Sequence, residues 1–355
     1  MGTERMRFRR VALPLISLTL ATSAEGAEIR LESGADLDTN AAREEYRETS
    51  DGLVRAVADL AATTPFGQGG RLQVNWQGGG KKYFTLSGED VLHQRAELSL
   101  SQAVAQILSL RLDAAARDRT SRAPVSSQDH TRVQGGPGLD VQLGDLTLGL
   151  RGGYERFVFK PDPDFDSDAA SGTALAAYGF DALTLQLTGT MAHRRFTGTP
   201  LTTSGHDAYG KPIFAEAEGR RRAEDYLRIG AGAQYGDTWL LAIDAAYETN
   251  TSNSVGATYD RQSVRVQGTV PLPWELLLTA ALALQWFQYP DRIYLSNTLF
   301  IEDEGRSAVT LRVERPLDDD WSLVGSGGGW FKPGGTGPDY RRVVAGLGVA
   351  YRLEP

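Results

Sequence analysis

The sequence predicts an all-β fold: a transmembrane antiparallel up-and-down β-barrel of about 16 strands (14–18), preceded by an N-terminal signal peptide. Three observations lead there. Apolar and polar residues alternate in short segments along most of the chain. The connections between these segments are short and long by turns. Beyond the first two dozen residues, no apolar run is long enough for a helical span, which needs roughly 20 residues. The most apolar stretch, PLPWELLLTAALALQWFQYP from Pro271 to Pro290, instead suits a tilted strand bordered by Trp274 and Trp286.

The chain opens with Arg5, Arg7, Arg9 and Arg10, then an apolar run from Val11 to Leu20, then small residues to Ala24 and Ala27. This is the layout of a secretory signal over residues 1–24, with cleavage as late as residue 27, and it leaves 25–355 as one barrel domain. Residues 1–24 hold four Arg and one Glu, so their removal takes the formal charge from −8 to −11. An acidic exported chain does not suit nucleic acid. The absence of Cys excludes disulfides, thiolate metal sites and a Cys nucleophile.

Alternation places the strands near 28–39, 51–63, 70–79, 91–102, 105–116, 131–142, 145–159, 172–180, 182–194, 223–235, 238–249, 257–270, 274–287, 305–315, 321–331 and 340–353. Leu146, Leu148 and Leu150 alternate with Thr147, Gly149 and Arg151; Leu183, Leu185 and Leu187 with Thr184, Gln186 and Thr188. The stretch DGLVRAVADLAA also fits a short helix, through Leu53, Val57 and Leu60. Short links such as LGD, GFDA, YGDT and PLDDD carry acids and no Lys or Arg. The long links include KPDPDFDSDAAS and the stretch from Phe196 to Arg222. Aromatic residues follow the short turns at Trp239, Trp274 and Trp321 and gather near the long links at Trp286, Tyr289 and Trp330, as two interfacial girdles would. Lys81, Lys82, Arg194, Arg195, Arg220, Arg221 and Arg222 lie on the long-link side, where a basic rim would meet lipopolysaccharide phosphates.

With the apolar face outward, the inward set includes Arg71, Arg95, Glu97, Arg111, Asp113, Arg151, Arg228, Asp244, Glu248, Arg265, Arg312, Glu314, Arg342 and Arg352. A barrel of about 16 strands is wide enough to hold an aqueous channel. Charges of both signs on its wall suit either a field across an open pore or a web of ion pairs that closes it.

Short turns at one end and long loops at the other resemble bacterial outer-membrane barrels of the porin kind, over almost the whole mature chain. The last strand, RRVVAGLGVAYRL, resembles the C-terminal signal of such barrels through Gly348, Tyr351 and Leu353, although the chain ends Leu-Glu-Pro. The opening residues Leu37, Asp38, Thr39 and Asn40 resemble those of barrels from secretion and exopolysaccharide loci. The resemblance implies a Gram-negative outer-membrane location and encounters with periplasmic chaperones and the barrel assembly machinery. It also implies a passive conduit for hydrophilic solutes or exported polysaccharide, and leaves oligomeric state open. The alternatives are a closed anchor or adhesin barrel, and a rim hydrolase built on His93 or His193.

No catalytic motif accompanies the four His, and no cofactor is expected. Asp162, Asp164, Asp166 and Asp168 alternate like the first half of a calcium loop, but Ser167 and Thr173 stand where its Gly and Glu belong. They are a candidate loose divalent site.

Overall fold

The computed structural model describes residues 26–41, 48–122, 128–209, 212–290, 306–332 and 341–353. The expected signal peptide, residues 1–24, lies outside the described residues. Among the described residues, eighteen strands run in chain order: β1 (Gly26–Asp38), β2 (Asp51–Phe66), β3 (Gly70–Tyr83), β4 (Val91–Ala105), β5 (Leu108–Ser121), β6 (His130–Leu143), β7 (Leu146–Phe159), β8 (Ser167–Phe180), β9 (Leu183–Phe196), β10 (Leu201–His206), β11 (Pro212–Glu216), β12 (Ala223–Gly236), β13 (Leu240–Ser252), β14 (Tyr259–Leu272), β15 (Leu276–Gln288), β16 (Ser307–Pro316), β17 (Trp321–Phe331) and β18 (Arg341–Leu353). Sixteen form one closed antiparallel barrel in which each strand pairs with its chain neighbour, β9 with β12, and β18 with β1. The strands β10 and β11 form a separate hairpin inside the connection from β9 to β12. DGLVRAVADLAA is a strand, part of β2, because both its edges find partners in β1 and β3.

The short turns lie at one end and the long loops at the other, as a wall of alternating up and down strands requires. Several turns use left-handed backbone: Gly67 and Gly69 between β2 and β3, and Trp274 and Glu275 between β14 and β15. The second pair lacks glycine, and each such residue costs roughly 1–3 kcal/mol.

Packing is inverted relative to a water-soluble domain. Leu31, Leu112, Leu150, Leu187, Ile229, Leu311 and Leu347 are exposed, along with many other large apolar side chains. Many of the most buried groups are polar or charged, among them Asp38, Arg119, His130, Glu248 and Arg342, beside the apolar Leu53 and Val324. Buried apolar residues are few: small clusters near the long-loop end, such as Ala41 with Leu53 and Tyr83, and Phe157 with Phe159, and Val324 and Ala350 toward the short-turn end. A continuous apolar exterior of this extent marks a surface meant for something other than water.

The seam between β1 and β18 is close-packed. A Cβ on Gly34 would stand 2.6 Å from the Leu347 carbonyl oxygen, a backbone atom that cannot swing aside. At Gly329 on β17, nothing lies within 4 Å of such a Cβ. Gly34→Ala is therefore expected to reduce severalfold the fraction of refolded protein that shows the folded-barrel band shift on unheated gels. Gly329→Ala is expected to fold like the parent.

Candidate functional site

The charged side chains of the wall converge on its concave face. Arg30 on β1 reaches Glu314 on β16 at 2.7 Å, and Arg312 reaches Glu32 at the same distance, both across the intervening β18 and β17. Only the inside of a curved sheet brings side chains three strands apart so close. Because successive residues alternate faces, register then assigns every position around the wall.

By that register Arg71, Arg95, Glu97, Arg111 and Asp113 face inward, as do Arg151, Arg228, Asp244, Glu248 and Arg265. Arg312, Glu314, Arg342 and Arg352 share that face. The inward set is larger than the sequence alone suggests, and includes Arg30, Glu32, Asp36, Arg55, Arg117, Arg119, Arg132 and Arg261. Their signal is the same period of two: Arg117 and Arg119 continue the parity of Arg111 and Asp113.

Three groups of ion pairs line the wall. Arg55 binds Glu32, lies 2.9 Å from Asp36 and donates to Ser326 Oγ at 3.3 Å, extending the Arg30–Glu314–Arg312–Glu32 web across β1, β2, β16 and β17. Arg151 forks onto Asp140 at 2.6 and 2.8 Å, while Arg111 donates to Asp113 at 2.8 Å. Arg261 donates to Glu248 at 2.7 Å, and Arg228 lies 3.3 Å from the same carboxylate.

Mid-wall and long-loop end differ in character. The inward side chains of Arg95 and Arg228 are 57% and 46% exposed, which for inward groups means exposure to a water-accessible lumen. Concavities of ≈ 630 and ≈ 670 Å³ indent the wall at Arg111–Arg151 and Arg228–Arg265. Near the long-loop end the inner wall is packed instead. Arg342 forks onto Asp38 with its closest contact at 2.7 Å and covers Trp330, while Arg222 lies 4.3 Å over Phe196. Asp129 accepts from Arg119 at 2.8 Å, and His130 stacks on Phe157.

Asp38 also accepts from Tyr83 Oη at 3.1 Å and from the Asn40 N–H at 3.1 Å. Thr39 Oγ1 accepts from the Val343 N–H, and Asn40 Nδ2 donates to the Arg341 carbonyl. The opening residues Asp38, Thr39 and Asn40 thus clasp β1 to β18.

Several expected placements are corrected by parity. Lys81 and Arg194 face the lumen, opposite Arg55 and Glu224, and Arg222 is buried on Phe196 beside Glu224. Lys82 and Arg195, their sequence neighbours, necessarily face outward, and Arg220 and Arg221 are exposed on the loop. Of the aromatic residues, Trp239, Trp274, Trp286 and Trp321 are exposed, whereas Trp330 turns inward under Arg342 and Tyr289 packs with Phe287 and Tyr259 on the inner side. Gly348 is inward opposite Gly34; Tyr351 faces outward against Trp321, and Leu353 lies on the same outer face.

The four acids of the 162–168 stretch do not converge. Asp162 accepts from the Asp164 N–H, Asp166 from the Phe159 N–H, and Asp168 from Tyr154 Oη and Arg156. Among the described residues no cluster of three or more potential ligands could hold a metal ion. The carboxylates are drawn to backbone donors and Arg156 instead. His93 faces inward and accepts from Arg117 Nε at 2.9 Å. His193 faces outward, 2.7 Å from Asp225, and accepts from Arg195. Lying on opposite faces of the wall, the two cannot serve one site.

No protein-family model and no curated protein matches the chain. Solved structures that resemble it include a double mutant of the Rhodopseudomonas blastica porin, 12% identical over 92% of this chain and 100% of that one, TM-score 0.40. Another is a loop-deletion mutant of OmpT from Vibrio cholerae, described as an outer membrane protein: 12% identical over 92% and 99%, TM-score 0.47.

Removing one partner from the seam web leaves a largely buried acid without its counter-charge. Arg55→Met is expected to destabilise the barrel by about 1–3 kcal/mol, read as a lowered urea midpoint in detergent micelles. Arg265→Met, on the open wall, is expected to leave the stability measured the same way within about 0.5 kcal/mol of the parent.

Proposed function

We propose that the chain is an integral protein of a Gram-negative outer membrane, working as a passive channel for hydrophilic solutes. One observation carries this: charged side chains on the concave face stay solvent-exposed at mid-height, while large apolar side chains cover most of the convex face between its rims. Water and small polar solutes have a charged path inside, and hydrocarbon has a matching surface outside. Solutes would pass by diffusion, without covalent chemistry. The exposed Trp239, Trp274 and Trp321 would anchor the short-turn rim at the lipid interface.

Outward Lys82 and Arg195 and exposed Arg220 and Arg221 are the residues we assign to lipopolysaccharide phosphates. Gly348, Tyr351 and Leu353 remain the segment offered to the assembly machinery. Polysaccharide export draws no support from Asp38, Thr39 and Asn40, whose side chains are engaged in holding the seam. A second reading, a closed or gated barrel, is favoured by the packed inner belt of Arg119, Phe157, Arg222 and Arg342 at the long-loop end.

Planar-bilayer recording of the refolded protein is expected to show stable current steps that scale with salt. The absence of native Cys permits a companion test. Ser263→Cys, inward on β14, should react with a membrane-impermeant thiol reagent in reconstituted vesicles, and Leu311→Cys, outward on β16, should not. A folded barrel that is silent and unlabelled at Ser263→Cys would establish the closed reading.

A further inference from the structure

At one place on the inner wall the charged groups are engaged with one another and the neutral polar groups are not. On β3 the inward positions Gln73 and Asn75 stand opposite Ser99 and Glu97 of β4, which face Asp113 and Ala115 of β5, and these in turn face Gly136 and Gln134 of β6. Ser171 on β8 lies opposite Gly153 of β7. Together they surround the ≈ 630 Å³ concavity beside Arg111 and Arg151. That volume falls in the range of small-molecule sites, roughly 300–1,000 Å³. Among the described residues, the side chains of Gln73, Asn75, Ser99, Gln134 and Ser171 have no hydrogen-bond partner in the protein.

The acids and arginines around these groups are already matched. Arg95 Nε donates to Glu97 at 2.8 Å, Arg111 Nε donates to Asp113 at 2.8 Å, and Arg151 forks onto Asp140. Glu155 lies 3.3 Å from Arg132 and 3.5 Å from Arg194. An anionic solute entering the concavity meets Glu97, Asp113 and Glu155, and a cationic one meets Arg111 and Arg151. Either must displace a partner or sit beside a like charge. A neutral solute bears neither cost. The floor of the hollow is bare backbone: a Cβ on Gly136 would collide with the Gly152 carbonyl oxygen, and the β6–β7 pairing lapses between Gly135–Tyr154 and Gly138–Arg151, around Pro137, which has no N–H.

We propose that this concavity is a binding site for neutral, polyhydroxylated solutes of the saccharide class. An amide side chain presents a carbonyl acceptor and two N–H donors, and a serine hydroxyl both donates and accepts, so the five free groups match solute hydroxyls, which also do both. Successive inward positions on β3 lie about 7 Å apart, and Asn75 and Gln134, three strands apart, lie about 14 Å apart along the sheet. A solute that engages both amides therefore carries hydroxyls at both of its ends, as a two-ring saccharide does. Lone pairs left on Glu97 and Asp113 accept from further hydroxyls while the acids keep their arginines. This deepens the channel proposal by naming a solute class and rests on it for passage, though binding at the concavity can be measured without conduction.

The test uses the full-length refolded protein with sucrose as probe, and the band shift on unheated gels confirms that each variant folds. In planar bilayers sucrose should reduce the parent's current saturably, beyond the fall in conductivity of the bulk solution. N75A and Q134A should each raise the half-blocking concentration about fivefold, the loss of one neutral hydrogen bond. S263A, which removes a hydroxyl from the separate concavity at Arg228–Arg265, should change it less than twofold. A decrease that never saturates, or equal effects of Q134A and S263A, would overturn the proposal. Charge is tested on one carbon frame: glucose should bind more tightly than gluconate or protonated glucosamine, and equal or weaker binding than either would overturn it. If the folded parent is silent, the channel proposal fails, and saturation-transfer NMR with sucrose in a sugar-free detergent decides the site alone. Transfer seen with the parent and S263A and lost in N75A/Q134A would uphold it, and no transfer with the parent would overturn it.

Discussion

Everything in this molecule depends on the meeting of β1 with β18. A sheet facing hydrocarbon, as we propose, has no water to satisfy an open edge, so the first and last strands must pair or the wall does not exist. Three devices along the seam serve that pairing. Gly34, Gly346 and Gly348 let the two backbones approach. The Asp38–Arg342 fork, with Thr39 and Asn40, fastens the long-loop end. The Arg55–Glu32–Arg312–Glu314 web reaches beyond the seam to β2 and β16. Closing residues some three hundred positions apart is entropically expensive, which accounts for the concentration of strong charged contacts there.

Once the sheet is closed it has two faces and no edge, and chemistry is sorted by parity alone. The same wall that shows Leu347 to the outside shows Gly346 and Gly348 to the inside, and the missing side chain at Gly346 leaves room for the Asp36 carboxylate that Arg55 engages. Ion pairs here are less costly than in a dry core, since the lumen at Arg95 and Arg228 is open to solvent and desolvation is partial. Toward the long loops that changes: Arg119, His130, Glu224 and Arg342 are buried among aromatic rings and charged partners.

Strand number and the sorting of charged residues were legible in the sequence because both follow from a repeat of two. The errors came where composition was used without parity. Lys81 and Lys82, or Arg194 and Arg195, look like one basic cluster along the chain, yet a strand sends such neighbours to opposite faces. Trp330 and Tyr289 sit at the height expected of an interfacial girdle, but on the inner side. The hairpin of β10 and β11 was hidden because its few residues, LTTSGH and PIFAE, carry no sustained alternation. The seam clasp was visible only as a motif, since nothing local says that Asp38 will meet a residue three hundred positions later. The dispersal of Asp162, Asp164, Asp166 and Asp168 likewise follows from backbone donors and Arg156, which a spacing rule does not count.

Among the described residues, the hairpin of β10 and β11 is tied to the loop between β13 and β14: the Leu201 N–H donates to Ser254 Oγ, and the Val255 N–H to the Leu201 carbonyl. None of the seam or lumen contacts described above passes through it. Its length and sequence are therefore free to drift while the wall stays as it is. A cell surface displaying this barrel could change the outline it offers to phage or antibody by altering one loop, with the passage beneath left untouched.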